Sequence, residues 1–325
     1  MSGRPADLSA APVPGAHGGD GARLAAALGV DPSAVLDLSA SMNPCAPDVT
    51  ALAARRLDAL RRYPDATAAT IATAAALGVD PDRVLLTNGG SEAIALVAQD
   101  AFEGDVRDPE FSLYRRHLAV VDEGGGQDGG GRRWRSNPNN PTGELAAPDD
   151  EAAVWDEAFW PIATGTWTRG DAARGATIVG SLTKLFACPG LRVGYVLAPD
   201  AASADRLRWR QPLWSVNGLA CALVPELLDL ADLEGWAQAT RSLQRELAGV
   251  LRSAGYRAEA PAAPWVLVSP AGDLRDRLAR SGILVRDCGS FGLADTVRMG
   301  LPGPGGLERV SAALSCELTQ PNWGG

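Results

Sequence analysis

The chain has 325 residues, 46% apolar and 21% charged, enough to bury one large core or two linked ones and unlike a disordered composition. A net charge of −9 argues against a general nucleic-acid or membrane surface, while local arginine clusters can still bind small anions. The scattered Cys45, Cys188, Cys221, Cys288 and Cys316 form no Cys-x-x-Cys pair, which predicts free thiols in a reducing cytoplasm and no metal site. The N-terminus carries Arg4 and Asp7 but no apolar core of signal-peptide length, and no run approaches a membrane span, so a cytoplasmic protein is expected.

Residues 1–16, rich in Ala, Pro, Gly and Ser, predict a loosely held arm. A helix is expected over 20–28 and a short strand over 35–39. Residues 48–62 read as a helix with Leu52, Leu57 and Leu60 on one face and Arg55, Arg56, Arg61 and Arg62 outside. Tyr63-Pro64-Asp65 stops it, and a second helix follows over 67–78. A strand over 83–87, the turn Asn88-Gly89-Gly90-Ser91-Glu92 and a helix over 92–100 make a strand–turn–helix unit that predicts α/β architecture. The Gly-rich run 123–132 predicts flexibility. Strand and helix alternate again over 176–198, and 203–255 read as mostly helical. Strands over 265–268, 283–286 and 297–301 and a last helix over 306–316 give an α+β lobe. The expected domains are 1–45 (an arm joining the small domain), 46–202 (large) and 203–325 (linking helix and small domain).

Lys184 is the only lysine among 30 basic residues, so the other 29 are Arg. Arg keeps its proton, whereas a desolvated Lys can lose one and attack a carbonyl to form a Schiff base. Lys184 lies in Ser181-Leu182-Thr183-Lys184, just after the apolar run Ala176-Thr177-Ile178-Val179. The Gly89-Gly90-Ser91 turn opens a helix, where exposed N–H groups and the helix dipole favour a phosphate. Ser136-Asn137-Pro138-Asn139-Asn140-Pro141-Thr142-Gly143 contains two X-Pro steps, so it is rigid and presents Asn140 as a fixed amide. Asp156 follows an apolar approach, and a buried acid there needs a cation such as a pyridinium nitrogen. Ser181 and Arg192 flank the amine and suit a phosphate. Arg286 and Arg298 sit on otherwise apolar strands and suit a substrate carboxylate or phosphate, or structural salt bridges.

The combination resembles the fold-type I pyridoxal-phosphate enzymes of the aspartate aminotransferase superfamily. The resemblance rests on Asn-Pro-Asn-Asn-Pro-Thr-Gly at 137–143, Asp-Glu-Ala-Phe at 156–159, Ser-Leu-Thr-Lys at 181–184 and Pro-Gly-Leu-Arg-Val-Gly-Tyr at 189–195. Within that superfamily the chain looks most like the branch of histidinol-phosphate aminotransferases and threonine-phosphate decarboxylases. His17-Gly18-Gly19-Asp20, the stretch from Leu36 to Pro44, Trp214-Ser215-Val216-Asn217, and Phe159 where the aminotransferases usually carry Tyr lean toward the decarboxylase. The resemblance implies a large α/β/α domain with a mostly parallel sheet, a smaller α+β domain, and a homodimer with active sites at the interface.

It also implies roles. Lys184 would hold pyridoxal 5'-phosphate as a Schiff base, Asp156 would pair with the pyridinium nitrogen, Asn140 would bind the ring oxygen and Tyr114 would stack on the ring. Gly90, Ser91, Ser181 and Arg192 would bind the cofactor phosphate, with Tyr63 from the neighbouring subunit. Arg298 would hold the substrate carboxylate, with His17, Asn43 and Arg286 near its distal phosphate or carboxylate. The implied activity is decarboxylation of threonine phosphate or a related transamination of a small phosphorylated amino acid. Histidinol-phosphate transamination and a non-catalytic cofactor-binding protein are the alternatives. Three departures stand out: only about sixteen residues separate Asn140 from Asp156, the Gly-rich run replaces part of a strand and helix, and Asp20 and Ser41 replace expected asparagines.

Overall fold

The computed structural model describes residues 17–122 and 133–315. The expected arm at 1–16, the Gly-rich run and residue 316 of the last helix lie outside them. The chain divides into a larger unit, Cys45–Arg241 with Pro261–Pro264, and a smaller one made of residues up to Pro44, Ser242–Ala260 and Trp265 onward. The second boundary was expected at 202 and falls at Arg241. Helices Ala201–Arg210 and Gly218–Asp229 bury Ala204, Leu207, Leu223, Val224 and Leu227 in the larger unit, so they cannot serve as a free linker.

In the larger unit we number the strands β1 (Val84–Thr87), β2 (Glu103–Asp105), β3 (Val120–Asp122), β4 (Trp134–Ser136), β5 (Val154–Asp156), β6 (Thr177–Gly180) and β7 (Gly194–Leu197). Five of them form one sheet in the order β1-β7-β6-β5-β4. Strands β4, β5 and β6 are parallel, and β7 runs antiparallel to both β6 and β1. Strands β2 and β3 pair in parallel, and a bridge from Asp105 to Arg133 links β2 to the β4 edge. Every residue of β1, β5 and β7 is buried, the signature of a sheet covered on both faces. The register sets Ser136 beside Asp156 and Asp156 beside Val179. The carboxyl ends of β1, β4, β5 and β6 therefore share one edge of the sheet, where open α/β sheets hold their ligands.

Local structure departs from expectation in several places. The helix expected over 92–100 is Gly89–Ala101, because Gly89, at φ 76°, lets the chain turn straight from β1 into the helix. Residues 48–62 do not form one helix: Val49–Ala54, capped by Asp48, gives way to a 3-10 turn at Leu57–Arg61. Leu52 is buried, but Leu57 and Leu60 are 53% and 62% exposed. Arg55 and Arg56 at the break both reach Glu226, at 2.9 and 3.1 Å. The short strands β2 to β4 and the helices Leu113–His117 and Trp160–Thr164 have no sequence signature, since three to five residues carry no usable period.

The smaller unit has an antiparallel sheet in the order Arg286–Asp287, Val297–Gly300, Trp265–Val268, Ala258–Glu259. The strand expected over 283–286 breaks at Val285, and Ile283–Leu284 pairs instead, in parallel, with Leu36–Asp37. Leu247, Leu251, Val266, Leu274, Val285, Met299 and Val310 fill its core. Among the described residues no helix is long and apolar enough to cross a membrane.

Candidate active site

The carboxyl edge of the larger sheet gathers most of the residues singled out by sequence. Ser181 and Lys184 follow β6 on the one-turn helix Leu182–Leu185. Thr183 clamps that turn: its hydroxyl donates to the Val193 carbonyl at 3.0 Å and accepts the Val193 N–H at 3.1 Å. The clamp joins the lysine turn to the loop carrying Arg192, a non-glycine at φ 56°. The Lys184 Nζ lies 5.8 Å from the centre of the Phe159 ring.

The anion cradle follows from glycine geometry. A Cβ on Gly89 would lie 2.4 Å from Arg192 Nη2, so the guanidinium occupies the space a side chain would fill. A Cβ on Gly90 would lie 4.0 Å from the Ser181 hydroxyl oxygen. Arg192, Ser181 and the first N–H groups of helix Gly89–Ala101 therefore converge where a phosphate is favoured. Gly194, at the start of β7, backs the cradle: a Cβ there would lie 2.7 Å from the Gly90 nitrogen and 2.8 Å from the Gly180 oxygen. Ser91 is exposed at the helix start.

Asp156 ends β5 in a buried position. Its Oδ2 accepts the Tyr114 hydroxyl at 2.8 Å and its Oδ1 the Ala158 N–H at 2.9 Å. Burial raises its carboxyl above the usual range, opposed by those two hydrogen bonds and by the charge of Lys184. Tyr114 was expected to present a ring face. Its ring is 1% exposed, held between Phe111 and Trp134, and what it contributes here is its hydroxyl.

Asn140 is buried on a loop fixed at both ends. Asn139 Oδ1 accepts from the Thr142 N–H and hydroxyl, and Asn137 Oδ1 accepts from Ala146 N–H. The Asn140 N–H donates to the Ser136 hydroxyl at 2.7 Å, and that hydroxyl donates to Glu110 Oε2 at 2.5 Å. Neither Ser136 nor Glu110 was singled out from sequence as a functional residue. Their only signal is a hydroxyl next to the Asn-Pro segment and an acid beside Pro109. Glu157, next to Asp156, is buried with Oε1 accepting the Arg169 N–H at 3.1 Å, and burial pushes it up to about 7.

Tyr63 lies elsewhere, 79% exposed, with its ring 4.7 Å from that of Trp214. The remaining four candidates belong to the smaller unit. Arg286 and Arg298 are cross-strand register partners, both buried. Arg298 lies 4.7 Å over Trp265 and donates to the Ser39 carbonyl at 3.4 Å. Arg286 lies 5.2 Å over Phe291 and donates to the Ser290 hydroxyl at 2.7 Å. Burial pulls Arg298 down to about 10, with Cys288 opposing and Arg286 adding to the shift. Asn43 is buried and His17 exposed. His17 adjoins Gly18, where a Cβ would meet the Ser39 carbonyl oxygen, and the Gly19 N–H donates to the Ser39 hydroxyl at 2.8 Å.

The mostly parallel sheet thus carries at its carboxyl edge the segments that hold an amine, a buried acid, an amide and an anion cradle, the layout of an α/β enzyme. Residues 134–313 match the family model for aminotransferase class I and II. The chain belongs to this family, whose members are pyridoxal-phosphate-dependent enzymes. It is 31% identical to the threonine-phosphate decarboxylase of Salmonella typhimurium over 94% of this chain and 97% of that one. It is 30% identical to the histidinol-phosphate aminotransferase of Symbiobacterium thermophilum, over 87% and 91%. Among solved structures, the histidinol-phosphate aminotransferase of Sinorhizobium meliloti in complex with pyridoxal-5'-phosphate aligns with a TM-score of 0.77 at 16% identity, covering 93% of this chain and 94% of that one. L-threonine-O-3-phosphate decarboxylase from Porphyromonas gingivalis aligns at 0.70 and 22%, covering 86% and 98%. These likenesses establish the fold-type I architecture.

Two outcomes are expected from this geometry. Gly194→Ala forces main chain apart behind the cradle, so cofactor affinity falls by about tenfold in an absorbance titration of the apoprotein. Glu157, raised to about 7 in the fold, stabilises the protein fully below its unfolded range near 4.5, and this contribution is lost as pH rises through about 7. Urea unfolding of the apoprotein between those values should show stability falling with pH, and Glu157→Gln should flatten the slope.

Proposed function

We propose that the chain is a pyridoxal-phosphate-dependent enzyme acting on a small phosphorylated amino acid, with threonine-phosphate decarboxylation as its reaction. The residues present fit the cofactor: a phosphate suits the cradle that a Gly89 side chain would have to share with Arg192, and a ring cation suits Asp156. When bound, the cofactor supplies an electron sink for a carbanion at the substrate Cα.

The chain's own groups do the rest. Lys184, whose amine is the one side-chain amine in the sequence, holds the cofactor between turnovers and then moves a proton at Cα. Asp156 keeps the ring nitrogen protonated, with Tyr114 holding its Oδ2 in place. Asn140 donates to the ring oxygen. Gly90, Ser91, Ser181 and Arg192 bind the cofactor phosphate, and Tyr63 of the partner subunit in a homodimer adds to it. The exposed Tyr63–Trp214 pair, with Leu213 80% exposed, suits such an interface.

The observation that carries the substrate class is the register pair Arg286 and Arg298. Two buried guanidiniums side by side on one sheet present paired cationic groups, which suit a ligand with two anionic groups. A phosphorylated amino acid has both a carboxylate and a phosphate. We assign the carboxylate to Arg298 and the phosphate to Arg286 with His17 and Asn43. The fold relatives include a decarboxylase and aminotransferases, and Phe159 removes a hydroxyl from the neighbourhood of Lys184.

Incubation of the cofactor-loaded protein with threonine phosphate, without an amino acceptor, tests the reading. Carbon dioxide release is expected, lost by at least about a hundredfold in Arg298→Gln. Keto-acid formation that requires an acceptor would instead make the protein an aminotransferase.

A further inference from the structure

Glu110 is a buried acid that none of these roles uses. It lies in the segment that leads from β2 to helix Leu113–His117. The Ser136 main-chain N–H donates to its Oε1 at 3.0 Å, and the Ser136 hydroxyl donates to its Oε2 at 2.5 Å. That same hydroxyl accepts the Asn140 N–H at 2.7 Å. The main chain at Asn140 is thus tied to Glu110 through a single oxygen. The titratable groups that bear on Glu110 are Asp156 at the end of β5 and Tyr114 on the helix Leu113–His117. Since Tyr114 donates to Asp156, one buried network links the proposed ring-oxygen donor to the proposed ring-nitrogen acid.

We infer that Glu110 is a positioning residue for the cofactor ring: its carboxyl clamps Ser136, and Ser136 sets the main chain from which Asn140 presents its amide. The inference rests on the cofactor site proposed above. Two acids in one buried network cannot both carry charge cheaply. Burial pushes Glu110 up to about 8, against the opposing pull of Ser136, and burial raises Asp156 as well. The Glu110 carboxyl accepts the Ser136 N–H at one oxygen and the Ser136 hydroxyl at the other. A glutamine keeps one oxygen to accept the Ser136 N–H and can donate its amide to the Ser136 hydroxyl oxygen, whereas an alanine offers neither.

The test compares wild type, Glu110→Gln, Glu110→Ala and Ser136→Ala. In the apoprotein, infrared spectroscopy at neutral pH should show the carbonyl band of a buried protonated acid that Glu110→Gln lacks. In absorbance titrations with pyridoxal phosphate, Glu110→Ala should bind roughly tenfold more weakly than wild type, and Glu110→Gln should recover most of that loss. Ser136→Ala keeps Glu110 but cuts the link to Asn140, so it should lose about tenfold as well, which serves if Glu110→Ala fails to fold. Wild-type affinity in both alanine variants, or an infrared band unchanged in Glu110→Gln, would overturn the inference. Failure of wild type itself to bind the cofactor would overturn the site reading and this inference together.

Discussion

A carboxylate buried at the carboxyl end of a strand is the constraint on which this site turns. Asp156 has left water, and the two hydrogen bonds it accepts do not cancel the cost of burial. Something cationic must face it if it is to work ionised. The surrounding architecture is arranged to keep it there: Tyr114 fixes one oxygen, the register holds Ser136 and Val179 on either side, and Lys184 adds positive charge. An acid in this state suits a ligand with a ring cation, which is the property the cofactor proposal uses.

The topology explains why these groups meet. Strands β4, β5 and β6 are parallel, so the loops that follow them open on the same edge. Strand β7 alone reverses, and its first residue, Gly194, backs the cradle that β1 and β6 build. Small residues are required there because main chain meets main chain. The rigidity of the 137–143 loop, in turn, comes from side chains that cap their own backbone.

Much of this was legible in the sequence because chemistry-bearing residues sat at the ends of apolar runs. Lys184 and Asp156 could be located that way and Asn140 by the X-Pro steps around it, and the sheet brings the segments that carry them to one edge. Glu110 and Ser136 were invisible for a physical reason: their pairing spans 26 positions and exists only once β4 lies beside the segment after β2. Tyr114 was visible as an aromatic but not as a hydroxyl donor, since its ring direction depends on the packing of Trp134 and Phe111. The break in residues 48–62 was hidden by a helical period that continues through Leu57 and Leu60 although the chain turns at Arg55. The boundary at Arg241 was hidden because it falls within the continuous helix Leu233–Ser253.

The central claim is that Lys184 is the covalent anchor of the cofactor, and the composition makes it unusually easy to test. With one lysine in the chain, the only other primary amine is the N-terminus. Borohydride reduction of the cofactor-loaded protein followed by peptide mapping should place one pyridoxyl group per chain on the peptide containing Lys184. Recovery of that peptide unmodified, or a label confined to the N-terminal amine, would contradict the account.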